Sequence, residues 1–148
     1  MTTLYETIPQ LAAYHTSLLI LAALCIIVLL QSFLTAPLAF VTEEQVPGMP
    51  LVHDHSRLSF RAMRTYANST ENLPAFGFSL VPAIIVGVAP LLVNWLAVLY
   101  LAFRVAFWVA YYSGFGKIAG GPRTICYVGG LLANLVLAGS VVYMLAVL

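Results

Sequence analysis

The chain has 148 residues, of which 62% are hydrophobic and only 7% charged, with a formal net charge of +1. Soluble domains carry roughly 25% charged residues, and a mean hydropathy of +1.00 is more apolar surface than one core of this size can hide, so lipid is the solvent for most of the chain. The near-neutral balance, with no concentrated basic face, argues against a nucleic-acid partner.

Four long apolar stretches predict a single all-α domain, an integral membrane four-helix bundle. Helices satisfy their own backbone groups in hydrocarbon, and each stretch reaches the roughly 20 residues that a span requires. The first covers about 11–40. Its leader "MTTLYET" has no basic residue, and no small-residue cleavage site is evident, so it reads as a span rather than a removable signal peptide. The second, about 61–93, opens on "RTYANSTENLP" and continues through "FGFSLVPAIIVGVAPLLV". The third, about 94–112, is "NWLAVLYLAFRVAFWVAYY", and the fourth, about 123–148, contains "TICYVGGLLANLVLAGSVVYMLAVL". Cys25 and Cys126 fall in different spans and read as small core residues rather than a disulfide.

Arg57, Arg61 and Arg64 lie in or just after the first loop, and Lys117 and Arg123 in the third. The N-terminus, the second loop and the C-terminus carry no Lys or Arg. Positive charge concentrates on cytoplasmic loops, so loops one and three are expected in the cytoplasm and both termini on the opposite side.

The polar front of the second span needs a reason, because hydrocarbon cannot hydrate it. On a helix, Arg61, Arg64, Asn68 and Glu71 fall within one arc of about 80°. Arg104 and Tyr111, seven residues apart, share a face of the third span, and Arg104 lies about 10–12 Å below that span's cytoplasmic end. An Arg at such depth costs on the order of 3 kcal/mol and turns inward to find a partner; Glu71, at similar depth, is the expected one, within the bundle or across a subunit interface. A pair alone leaves Arg61, Arg64, Asn68, Tyr111 and Arg123 unexplained, and a cluster with more cations than anions suits an anionic ligand. At "GGPRT", Pro122 is favoured at the first helical position, which puts Arg123 and Thr124 in the first turn of the fourth span, with Tyr127 on about the same face as Arg123. Exposed amides and the helix dipole favour negative charge there, and an Arg beside a helix start suits stabilisation of a thiolate.

These motifs together resemble the MAPEG family, the membrane-associated proteins of eicosanoid and glutathione metabolism. The family's second span carries Arg, three residues, Asn, two residues, Glu, here Arg64, Asn68 and Glu71 followed by "PAF". Its third carries an Arg with a Tyr seven residues on, here Arg104 and Tyr111, and its fourth opens as "PRTICY" does, with Arg123, Thr124 and Tyr127. The resemblance implies a homotrimer of four-helix subunits with glutathione bound between neighbours as co-substrate, and no metal. It implies a transferase or peroxidase that uses Arg123 to stabilise the thiolate. Arg64, Asn68, Glu71, Arg104 and Tyr111, helped by Arg61, would bind the tripeptide, with Thr124 and Tyr127 close by. Hydrophobic small molecules or lipids would be the second substrates.

Two departures support an alternative of the same fold, a non-catalytic lipid-binding or scaffold protein: Phe107, where several relatives have Tyr or His, and "LLQSF" late in the first span, where some have Arg and this chain offers Gln31. An ion carrier would need a continuous polar path, yet the far halves of all spans are apolar. "HDH" at His53–His55 reads as a solvated loop rather than a metal site, and "GFGKIAGGP" lacks the ending of a phosphate-binding loop. Gly129 and Gly130 suit close helix packing, and Pro74, Pro82 and Pro90 suit kinks or helix ends.

Overall fold

The computed structural model of the chain describes residues 7–41, 54–115 and 120–147. Among these residues are a short helix, α1 (Pro9–Ala12), and four long ones: α2 (His15–Val41), α3 (Leu58–Ile85), α4 (Pro90–Tyr112) and α5 (Pro122–Val147). There is no strand among the described residues. Among the described residues three segments are long and apolar enough to cross a membrane: His15–Leu38, Pro90–Tyr112 and Pro122–Val147. Helix α3 has the length, at 28 residues, but its polar front half keeps it outside that group.

α3 solves part of its polarity locally. Thr65, Ser69, Thr70 and Ser79 each donate a hydroxyl hydrogen bond to the carbonyl four residues back, which satisfies a hydroxyl in oil without any outside partner. Ser69 Oγ also accepts from Trp108 Nε1 at 2.9 Å. The hydroxyls of the second span therefore belong to structure, and the charged and amide side chains are what remain to be explained.

α3 and α4 each pack on both α2 and α5. Phe76, Leu80, Ala83, Val93, Ala97 and Leu137 are wholly buried between them, and the Phe76 and Tyr100 rings stack in parallel at 4.1 Å. The opposite faces look outward: Phe33, Phe78 and Leu91 are 76%, 82% and 72% exposed, the inverse of a soluble surface and suited to lipid.

The turn between α3 and α4 falls at residues 86–89, several residues before the sequence-based boundary at 93–94. Hydropathy shows no dip there, but local stereochemistry fixes the stop. Gly87 adopts φ +75°, its N–H bonds Ile84 O, and Val88 N–H bonds Ala83 O, which closes a Schellman cap. Pro90 then supplies a first helical position whose missing N–H costs nothing. Pro74 and Pro82 lie inside α3 rather than ending it. At this end of the bundle Asn94 acts as a clamp: its Oδ1 accepts from Ser17 N (3.1 Å) and Ser17 Oγ (2.6 Å), and its Nδ2 donates to Ala13 O (2.8 Å). Tyr14 donates its hydroxyl to Val88 O.

α5 begins at Pro122, as the glycine–proline pattern indicates. A Cβ on Gly129 would collide with the Phe103 ring, and one on Gly130 would sit 3.6 Å from Phe103 Cβ, so this pair does bring α5 close to α4. Both cysteines are free thiols, and Cys25 faces outward rather than into the core.

Candidate functional site

A cleft of about 310 Å³ opens at the end of the bundle where α3 and α5 begin and α4 finishes, lined by Arg64, Asn68 and Glu71 from α3, Phe107 and Tyr111 from α4, and Arg123, Thr124 and Tyr127 from α5. Seven of the nine residues singled out in the sequence meet there. Their convergence follows from helix geometry: 64, 68 and 71 share one face of α3, 107 and 111 one face of α4, and 123, 124 and 127 the first turns of α5.

The cleft's electrostatics are unbalanced, with two arginines facing one glutamate. Arg64 and Glu71 make no ion pair or hydrogen bond among the described residues. Arg123 is 5% exposed, and its guanidinium carbon lies 4.9 Å from the centre of the Tyr111 ring, a cation–π arrangement. Its position in the first turn of α5 opposes the helix dipole, which favours anions at that end. A buried cation beside a helix N-terminus, where the dipole also favours anions, stabilises negative charge placed next to it.

Aromatic rings form the wall. Phe107 is 5% exposed and packs against Tyr111 at 5.2 Å and Tyr127 at 6.4 Å between ring centroids. Its place in the lining was not singled out as a site from sequence, although its spacing of three from Arg104 and four from Tyr111 puts it on their face. Thr124 Oγ1 accepts from Gly120 N–H at 3.2 Å, which ties the loop to the first turn of α5 and leaves the hydroxyl proton available to a ligand.

Two predicted site residues lie elsewhere. Arg61 donates from Nη1 to His55 O (2.9 Å) and Ser56 O (2.7 Å), and from Nε to Tyr112 O (3.3 Å). It therefore fastens the entrance of α3 to the last turn of α4, where a cation complements the C-terminal dipole, and Gly114 at φ +69° passes so close that a Cβ would lie 3.2 Å from its guanidinium carbon. Arg104 is 3% exposed and stands behind the lining. It does not meet Glu71, the expected partner, because the register of α4 against α3 sets it level with Asn68: Arg104 Nη2 donates to Asn68 Oδ1 (2.5 Å) and to Asn68 O (3.4 Å). Glu71 is left on the exposed face of α3.

Just before α3, Asp54 accepts from Ser56 Oγ (2.6 Å), Ser56 N (3.0 Å) and Arg57 Nε (3.0 Å). The two bonds from Ser56, with a smaller contribution from the charge of His55, hold its carboxyl below the usual carboxylate range. His53, and the loop that joins α2 to this point, lie outside the described residues, as does Lys117. Among the described residues no group of three or more His, Cys, Asp or Glu could hold a metal ion.

In chemical terms the cleft offers two guanidinium groups for anions, one carboxylate for a cation, and the hydroxyls of Tyr111, Thr124 and Tyr127 as donors, all beside an apolar bundle where charge interactions are strengthened. The model of the MAPEG family matches residues 17–143, nearly the whole chain. No curated protein matches the chain.

Proposed function

The chain belongs to the MAPEG family, and from that premise we propose a membrane-embedded, glutathione-dependent transferase or peroxidase acting on hydrophobic electrophiles or lipid hydroperoxides. Membership supports, at family level, a membrane role of the glutathione transferase-like or eicosanoid-related kind. The observation that carries the finer reading is the cleft's composition of two arginines and one glutamate, which mirrors a tripeptide thiol with two carboxylates and one ammonium. In this reading Arg64 and the Asn68 amide bind a carboxylate, Glu71 binds the ammonium, and the tyrosine hydroxyls complete the hydrogen bonding. Arg123 faces the sulfur and, with the first-turn amides of α5, lowers the thiol's pKa so that thiolate predominates near neutral pH.

The thiolate attacks an electrophilic carbon, forming a C–S bond as the leaving group departs with its electron pair. With a hydroperoxide it takes the distal oxygen as the O–O bond breaks; the alcohol leaves after protonation, and a second glutathione reduces the sulfenic acid to disulfide and water. The four long helices act as four spans, with α3 shielded from lipid by neighbours in a homotrimer and with the cleft opening toward the cytoplasm, where the basic residues concentrate.

Phe107 favours a second reading, a non-catalytic lipid-binding or scaffold protein, because it makes one wall of the cleft apolar. The deciding experiment measures conjugation of a chloronitroaromatic and reduction of a lipid hydroperoxide by purified protein in lipid nanodiscs. Glutathione-dependent turnover of either is expected. Absence of both, with co-purified lipid and no thermal stabilisation by glutathione, overturns the catalytic reading in favour of the second.

A further inference from the structure

We propose that Arg104 is a positioning residue: it fixes the side-chain amide of Asn68 so that Nδ2 points into the cleft, which makes Asn68 a dedicated hydrogen-bond donor for an acceptor group on the ligand. That the acceptor is a glutathione carboxylate rests on the functional reading above; the orientation of the amide does not.

The amide of an Asn can be turned either way, but here chemistry decides. A guanidinium has only donors, so the Asn68 atom that faces Arg104 Nη2 is oxygen, and Nδ2 is turned away. Among the described residues Nδ2 donates to nothing, yet it is not one of the occluded side-chain atoms lacking a partner, as Gln31 Oε1 and Asn134 Oδ1 are. Asn68 lines the cleft and Arg104 does not. The free donor therefore opens onto the cleft while the cation that aligns it stays behind the wall.

Arg104 has little freedom to do otherwise. Its guanidinium carbon lies 5.1 Å from the Phe107 ring centre and 6.0 Å from that of Tyr100, and a Cβ at Gly130 of α5 would already lie 3.7 Å from Arg104 Cδ. The main chain it aligns is also held: Asn72 Nδ2 donates to Asn68 O (2.8 Å), and Tyr100 Oη donates to Asn72 O (3.3 Å). A donor frozen before the ligand arrives loses no rotamer entropy on binding, and a charge-assisted bond at low dielectric holds it firmly. The sequence grouped Arg104 with the ligand contacts because periodicity reports a face, not which residue stands in front.

The test separates orientation from the identity of the ligand. Asn68→Asp keeps an oxygen toward Arg104, so its thermal midpoint should match or exceed wild type, but it replaces the donor with an acceptor; glutathione affinity should fall about ten- to a hundred-fold. Arg104→Met should weaken glutathione about ten-fold in the Asn68 background and add nothing in Asn68→Ala, because both changes abolish the same interaction. In ligand-free protein labelled with ¹⁵N-asparagine, the Asn68 amide signals, identified by their loss in Asn68→Ala, should shift and broaden in Arg104→Met and in Arg104→Lys. Unchanged amide signals, an additive double mutant, or full affinity in Asn68→Asp would overturn the proposal. If wild-type protein fails to bind glutathione, the glutathione reading falls alone, and the amide signals still decide whether Arg104 positions Asn68.

Discussion

The two ends of the bundle handle buried polarity in opposite ways. At the end where α3 turns into α4, three polar devices are neutral and spent: Asn94 uses both ends of its amide on Ser17 and Ala13, Tyr14 is bonded to Val88, and Gly87 closes the cap. At the other end, Arg64 and Glu71 have no partner among the described residues, and the Asn68 amide is half used. A satisfied polar group in oil fixes a fold; an unsatisfied one gathered with others in a cleft is capacity held for a ligand. The difference separates residues whose loss should unfold the protein from those whose loss should leave it folded and inactive.

The sharpest way to press that contrast is Arg123→Leu. Turnover at neutral pH should drop on the order of 100-fold in protein that still folds. A cation beside the thiol favours its ionised form, so removing it should move the rising limb of the pH–rate profile upward, with part of the activity returning in alkaline buffer. An unshifted profile would remove Arg123 from the chemistry.

At the opposite end, Asn94→Leu should cost about 2–3 kcal/mol of stability, since it deletes three hydrogen bonds and strands Ser17. Glutathione affinity of the protein that remains folded should be unchanged. Gly87→Ala should be milder, about 1 kcal/mol, because a side chain at φ +75° is strained, again with no effect on the ligand. Thermal denaturation beside ligand titration checks both, and a parallel fall in affinity would mean the ends are coupled.

The smallest effect belongs to Asp54. Its carboxyl is held below the usual range, so the stabilisation that it provides is complete above the ordinary carboxyl pKa and fades as pH falls through the lowered folded-state value. The stability difference between wild type and Asp54→Asn should therefore be flat near neutrality and shrink toward zero in acid. A difference that grows in acid would reverse the sign.

Legibility in the sequence followed the same division. Helix α5 began where Gly121 and Pro122 indicated, and seven cleft residues met because each set shares a helical face, a property that spacing fixes. Spacing does not fix register between helices, so depth alone pairs Glu71 with Arg104, whereas Asn68, one turn away, receives it. Arg61 was grouped with the ligand residues for its charge, and only the proximity of the α4 terminus reveals it as a fastener. Hydropathy runs unbroken through Val86 and Val88 and so puts the α3–α4 boundary too late; Gly87 and Pro90, a cap and a helix start, carry that signal locally. The Asn94 clamp depends on neighbours distant in the chain and has no periodic trace, whereas the spacing of Phe107 from Arg104 and Tyr111 does carry its place on their face.

The most direct measurement is calorimetric titration of glutathione into purified protein in nanodiscs, comparing wild type, Arg64→Ala, Glu71→Gln and Asn94→Leu. Saturable binding that weakens about ten-fold or more in the two charge variants and persists in Asn94→Leu is the expected result. No saturable binding to wild type, or binding indifferent to Arg64 and Glu71, would contradict the account.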